Sequence, residues 1–171
     1  MTALSPVRAV VLHCSASAWG SAAVIDGWHR ERGFTSIGYH WVVSNGRTHS
    51  AKVYDSAWDG AIEQGRPESV AGAHAEGRNH DTIGVCMIGN GAFTPRQLAV
   101  TAELLGAIML AHKIPILRLL GHCEVPSGMR QGKTCPNYPM DVMRSTVSEC
   151  MLRGIDAEVA GVYALAREVR P

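Results

Sequence analysis

The sequence has no long apolar run, no strong bias of charge and no paired cysteines. No stretch approaches the ~18 consecutive apolar residues that a membrane-spanning helix needs, so stable membrane insertion is not expected. The formal net charge of +1 gives no field that would steer an anionic polymer to the surface, and nucleic acid is not an expected partner. These absences leave a globular domain with neither nucleic acid nor a membrane as an expected partner.

The five cysteines are odd in number and irregularly spaced, which is not typical of a disulfide-stabilised secreted scaffold. No C-x-x-C pair occurs, so a structural zinc knuckle is not indicated. The first residues, MTALSPVRAVVLHC, contain one basic residue and an apolar run too short for a secretion signal. We therefore expect synthesis in the cytoplasm without a signal peptide, with any action outside the cell dependent on release by another protein.

What is present indicates one α/β domain with a central mixed sheet, flanking helices and an additional C-terminal helix. The 171 residues match the usual size of one domain, with a core at about 8–152 and the last helix at about 155–169. We favour a monomer. Strands are predicted at 8–14, 39–44, 83–89 and 116–121, and helices at 21–32, from Thr94 onwards, at 140–152 and at 155–169.

The segment after the second strand is predicted to be an elaborated hairpin. Asn45-Gly46 is a strong turn signal, and short strands are expected at Val53-Tyr54 and at 61–63. In the strand before it, alternation places Tyr39 on the same face as Trp41 and Val43. The loop at 66–81 has no hydrophobic period, and loops of this length in a compact domain are usually functional or disordered.

The stretch GHCEVPSGMRQGKTCPNY at 121–138 contains the richest chemistry of the chain. His122, Lys133 and Cys135 offer an imidazole, an ammonium and a thiol. One interpretation is a catalytic metal site with a third ligand from elsewhere in the chain. The other is a metal-independent thiol hydrolase in which Cys135 is the nucleophile and His122 the base.

A second histidine favours the metal interpretation. The strand at 8–14 ends near His13, as the strand at 116–121 delivers His122. Open α/β sheets bind ligands at one edge, where strands end, so both imidazoles are expected to meet there.

Four motifs in this order resemble the type-2 N-acetylmuramoyl-L-alanine amidases, a family that includes the amidase-type lysozymes of coliphages and the peptidoglycan-recognition proteins. The motifs are HCSA at 13–16, GYH at 38–40, GAHAEGRNHDTIGVC at 72–86, and GHCEV with KTCPNY within 121–138.

The resemblance implies a Zn²⁺ ion held by His13, His122 and Cys135, and a mixed sheet flanked by helices. It also implies that Tyr39 and Lys133 are catalytic. His74 and Asn79 match the loop that lines the substrate groove and are expected to bind substrate. The implied reaction is hydrolysis of the amide between N-acetylmuramic acid and L-alanine, with peptidoglycan or a muropeptide as the partner.

Three features depart from the family pattern: Cys123 after the second ligand, a long hairpin at 47–60, and the helix after Gly154. The absence of a signal indicates a phage or prophage endolysin that reaches the wall, in the host periplasm, after release. The alternatives are a cytoplasmic amidase that recycles anhydro-muropeptides and a module that binds muropeptides without cleaving them.

Overall fold

The computed structural model describes residues 2–168 and contains a five-stranded mixed sheet. The strands are β1 (Ala9–Cys14), β2 (Trp41–Asn45), β3 (Asp59–Gln64), β4 (Thr82–Met87) and β5 (Leu119–Gly121), in the spatial order β3-β2-β4-β1-β5. β1 pairs in parallel with β4 and β5, β4 pairs in parallel with β2, and β3 is antiparallel to β2. This topology confirms the predicted mixed sheet.

Within the described part of the chain, five α-helices accompany the sheet, and two of them begin at hydroxyl caps. They are α1 (Ala22–Glu31), α2 (Pro95–Ala111), α3 (Pro126–Arg130), α4 (Met140–Arg153) and α5 (Ala157–Glu168). The Ser21 hydroxyl accepts from the backbone N–H of Val24 at 3.2 Å, and the Thr94 hydroxyl accepts from that of Gln97 at 3.0 Å. No helix among residues 2–168 is both long enough and apolar enough to cross a membrane.

The two faces of the sheet are covered differently. α2, α4 and α5 cover one face and enclose the main apolar core, which includes Leu12, Trp41 and Leu105. The other face is covered by α1 through Ile25, while Ala75 of the 66–81 loop packs near the start of α3. β1, β2 and β4 are buried along their whole length because this parallel part of the sheet is sandwiched between layers.

The C-terminal helix packs on the domain around a largely buried carboxylate. Glu68 accepts hydrogen bonds from the indole N–H of Trp41 at 2.7 Å and from the Tyr163 hydroxyl at 3.2 Å, and the His112 ring and the Arg167 guanidinium lie 3.0 and 3.4 Å away. Tyr163 of α5 is only 4% exposed. One polar group thus joins β2, the end of α2 and α5. Val169, the predicted end of this helix, lies outside the described residues.

The hairpin prediction was wrong in its details. Val53-Tyr54 is not a strand, and the chain makes a wide loop from residue 46 to residue 58 before β3. Within that loop the Tyr54 hydroxyl donates to Asp59 Oδ2 at 3.0 Å, so the aromatic residue closes the loop instead of extending the sheet. β3 begins at Asp59, two residues before the short strand expected at 61–63.

Two further corrections concern the segments that carry site residues. The strand expected at 116–121 is reduced to β5, because a short 3₁₀ turn occupies Ile116–Arg118. Tyr39 lies before β2, so strand alternation does not reach it, and it packs with Val42 and Cys86 on the α1 face instead of with Trp41.

Candidate metal centre

Two neighbouring parallel strands bring the predicted histidines together. His13 is the penultimate residue of β1, and His122 directly follows β5, which pairs in parallel with β1. Their ring centroids lie 4.5 Å apart. The carboxyl ends of parallel strands meet at the same edge of a sheet, so this closeness follows from the topology.

The third predicted ligand is held in place by the backbone next to both histidines. Cys135 Sγ accepts from the backbone N–H of Cys14 at 3.2 Å, and the Cys135 carbonyl accepts from the N–H of Cys123 at 2.8 Å. One potential ligand atom from each of His13, His122 and Cys135 lies within 4.8 Å of the other two. The structure therefore gathers the three residues into one group, and their binding of an ion stays a prediction.

The two imidazoles have the protonation state that a metal ion needs. Burial lowers the pKa of His13 and of His122, and the positive charge of Lys133 lowers that of His122 further, so both imidazoles are neutral and can ligate. A hydrogen bond with the Cys14 thiol, together with burial, raises the pKa of the Cys135 thiol in the metal-free chain. Two imidazoles and one cysteine sulfur are a donor set that zinc accepts in catalytic sites, where a position is left for water.

Tyr39 lies against the first histidine. Its ring centroid is 5.0 Å from that of His13 and 5.4 Å from that of His29. Burial raises the pKa of Tyr39 well above its usual value, so the phenol stays protonated and can donate a hydrogen bond at neutral pH.

Lys133 differs from these residues because its side chain is exposed. It lies on the loop after α3, where its backbone N–H donates to the Gly128 carbonyl at 3.0 Å. A side chain at Gly128 would collide with the carbonyl of His122, since an added Cβ would lie 1.8 Å from that oxygen. The close approach of α3 at Gly128 therefore helps to place Lys133 near His122, whose pKa its charge lowers.

His74 and Asn79 were expected in the substrate groove. In the structure His74 contacts His13 of the metal group, and Asn79 contacts the backbone at His74. His74 is 8% exposed, and its Nδ1 is 3.0 Å from Nε2 of His13. The side-chain oxygen of Asn79 accepts from the backbone N–H groups of His74 and Ala75, both at 2.8 Å. Contact of either residue with substrate stays a prediction, while their contacts within the chain are part of the site's construction.

Sequence reasoning missed the residues that support the site through backbone groups. Cys14 contributes its N–H, Thr82 its carbonyl, and two glycines provide space for the His74 ring. The glycines at 72 and 84 lie inside the motif at 72–86, so the sequence did mark these positions. Their contact with the His74 ring could not be predicted, because it depends on how the 66–81 loop folds against β4.

Comparison with known proteins places this geometry in a family. The family model described as N-acetylmuramoyl-L-alanine amidase matches residues 3–138. The endolysin of Escherichia phage T7 is 31% identical over 143 residues, covering 77% of this chain and 82% of the phage protein. The endolysin of Enterobacteria phage T3 is 30% identical over 144 residues, covering 78% and 82%.

Solved structures share the fold. The N-acetylmuramoyl-L-alanine amidase LysC from Clostridium intestinale superposes with a TM-score of 0.67 at 24% identity, covering 86% of this chain and 93% of LysC. A Drosophila peptidoglycan recognition protein, PGRP-SD, gives a TM-score of 0.61 at 22% identity, covering 80% and 78%. From the matched family model and the phage relatives together, we conclude that this chain belongs to the N-acetylmuramoyl-L-alanine amidase family.

Proposed function

We propose that the chain is a zinc-dependent peptidoglycan amidase of the phage endolysin type, which hydrolyses the amide between N-acetylmuramic acid and L-alanine. The observation that carries the proposal is the group of His13, His122 and Cys135, with ligand atoms within 4.8 Å of one another at the carboxyl ends of β1 and β5. Bound zinc supplies a Lewis acid that activates water and polarises the scissile carbonyl.

Tyr39 and Lys133 would contribute to catalysis beside the three ligands. Tyr39, partly buried and protonated, donates a hydrogen bond that orients the attacking water or the substrate carbonyl. Lys133 is exposed and near enough to His122 to lower the pKa of that residue, and its ammonium would stabilise the negative charge that develops on the carbonyl oxygen. Because only a charged transition state benefits fully from Lys133, its contribution is to turnover more than to binding.

The thiol-hydrolase alternative is less well supported. That mechanism needs a thiolate in the absence of metal, and the hydrogen bond with Cys14, with burial, raises the pKa of Cys135. The Cys135 sulfur also faces Nδ1 of His13 at 3.9 Å, so it lies between two imidazoles and not beside a single base. This arrangement favours a ligand over a nucleophile.

The phage relatives favour an endolysin over a recycling amidase. An endolysin acts on the intact wall after it is released from the cytoplasm where it is made, whereas a recycling enzyme acts on soluble anhydro-muropeptides. The exposed position of Lys133 is compatible with a polymeric substrate that cannot enter a closed cavity.

The test is a parallel digestion of purified sacculi and of soluble muropeptides, with mass analysis of the products. We expect free peptide stems beginning with L-alanine and glycan strands with intact lactyl groups, formed faster from sacculi. Products from cleavage at any other bond would overturn the amidase assignment. A strong preference for soluble anhydro-muropeptides would support the recycling alternative. Binding without any product would support the non-catalytic alternative.

A further inference from the structure

We propose that His74 is a positioning residue, which accepts a hydrogen bond from His13 and thereby holds His13 in the tautomer that presents Nδ1 to the metal. The proposal rests on the proposed zinc site. It assigns the buried histidine of the 66–81 loop a role in preparing a ligand, where a contact with substrate was expected.

The direction of the hydrogen bonds follows from what each group can do. His74 Nε2 lies 3.4 Å from the carbonyl oxygen of Thr82, which can only accept, so this nitrogen carries the proton. In a neutral imidazole the other nitrogen is then an acceptor. His74 Nδ1 faces His13 Nε2 at 3.0 Å, so His13 must donate from Nε2.

The consequence for His13 is a free lone pair on the side of the metal group. With the proton on Nε2, Nδ1 has none, and this nitrogen faces Cys135 Sγ at 3.9 Å. Ligating histidines usually donate their second N–H to a carboxylate, a carbonyl or water, which fixes the ring orientation. Here the acceptor is a second histidine, itself fixed by a backbone carbonyl.

The position of the His74 ring is fixed by close packing. A Cβ at Gly72 would lie 2.4 Å from its Cδ2, and a Cβ at Gly84 would lie 2.6 Å from the same atom. Two glycines therefore form a slot that the ring fills. Asn79 fixes the backbone beside the slot by accepting from the N–H of His74 at 2.8 Å.

Two substitutions of His74, by residues of nearly equal shape, separate the effect of losing the hydrogen-bond acceptor from the effect of losing the ring. His74→Asn keeps an acceptor oxygen near the position of Nδ1, and His74→Leu has the same branched shape without an acceptor. We expect His74→Leu to weaken zinc binding, measured by competition with a chelator, by roughly 10- to 100-fold. His74→Asn should recover most of that loss. His80→Leu, an exposed position in the same loop, is the control and should bind zinc like the unmodified chain.

Equal zinc affinity in the unmodified chain and in a folded His74→Leu variant would overturn the proposal, as would equal losses in the Leu and Asn variants. Since His74→Leu alters a packed slot, a second measurement uses the unmodified chain. Long-range ¹⁵N–¹H spectra of the metal-free protein should show the ring proton of both His13 and His74 on Nε2, and a proton on Nδ1 of His13 would contradict it. A chain that binds no zinc at all would instead refute the proposed function.

Discussion

The two faces of the sheet are buried to a similar depth but with different residues. On the face covered by α2, α4 and α5, the side chains are almost all apolar, and Leu12, Leu105 and Met109 are fully buried. On the other face, His13 and His74 are buried next to one another, with Tyr39 close by. Burial of the first face stabilises the fold through the hydrophobic effect. Burial of polar groups on the second face costs free energy, which the first face offsets, and it holds those groups in fixed orientations.

The largest difference between the faces should appear when a metal ligand is removed. Cys135→Ala should lose both zinc binding and cleavage while the fold remains, because the α2 face does not depend on the ion. Metal content by atomic spectroscopy, cleavage of sacculi and circular dichroism measure the three properties. Cys123→Ala is the matched control, since this thiol lies nearby but outside the metal group, and it should keep both. Full zinc content in Cys135→Ala would remove Cys135 from the ligands.

Lys133→Ala tests the contribution of the exposed ammonium group to catalysis. We expect zinc content to be unchanged and kcat to fall by a factor that corresponds to roughly 3–4 kcal/mol of barrier, because one stabilising charge on the transition state is lost. Steady-state kinetics on soluble muropeptides separates kcat from KM. Lys52→Ala, an exposed lysine on the 46–58 loop, should be neutral. If Lys133→Ala keeps the original kcat, Lys133 is a solvated surface charge without a catalytic role.

Leu105→Ala should reduce stability without changing zinc binding or turnover. Leu105 of α2 is fully buried, so the truncation leaves a cavity and should reduce the free energy of unfolding by about 3 kcal/mol. Zinc affinity and the turnover of the folded fraction should stay the same. Urea unfolding gives the free energy, and Leu117→Ala, at a side chain that is 79% exposed, is the control. Loss of zinc affinity in Leu105→Ala would show that the two faces are coupled.

Glu68→Gln tests a polar cluster on the apolar face, with a smaller expected effect. Burial opposes the charge of Glu68, but hydrogen bonds from His112 and Trp41 outweigh it and lower its pKa. The ionised form therefore stabilises the fold at neutral pH, and the substitution should cost about 1–2 kcal/mol.

The sign of this effect predicts its pH dependence. A lowered pKa means that the stabilisation is present above the unfolded pKa of about 4.3 and is lost as the pH falls through the folded value. The difference between the unmodified chain and Glu68→Gln in thermal unfolding should thus shrink on acidification. The exposed Glu31→Gln variant should show no comparable difference at any pH. A difference that grows on acidification would contradict the account of Glu68.

The comparison also explains which parts of the molecule could be predicted from sequence. Apolar periodicity and the capping residue Thr94 predicted the start of α2, since both signals are local. The grouping of His13, His122 and Cys135 was expected from strand ends and from the motifs together. The burial of His74 could not be predicted in this way, because it depends on two glycines from different segments and on a loop crossing β4. The 46–58 loop was misread for a related reason, since Tyr54 is β-prone locally but bonds to Asp59.

Metal removal and reconstitution test the central claim most directly. The protein is stripped with a chelator, the chelator is removed, and cleavage of the amide between N-acetylmuramic acid and L-alanine is followed by mass spectrometry as zinc is added back. We expect no cleavage by the stripped protein and full recovery at stoichiometric zinc. Cleavage by the stripped protein at the original rate, together with inactivation by thiol alkylation, would contradict the metal site and support a cysteine nucleophile.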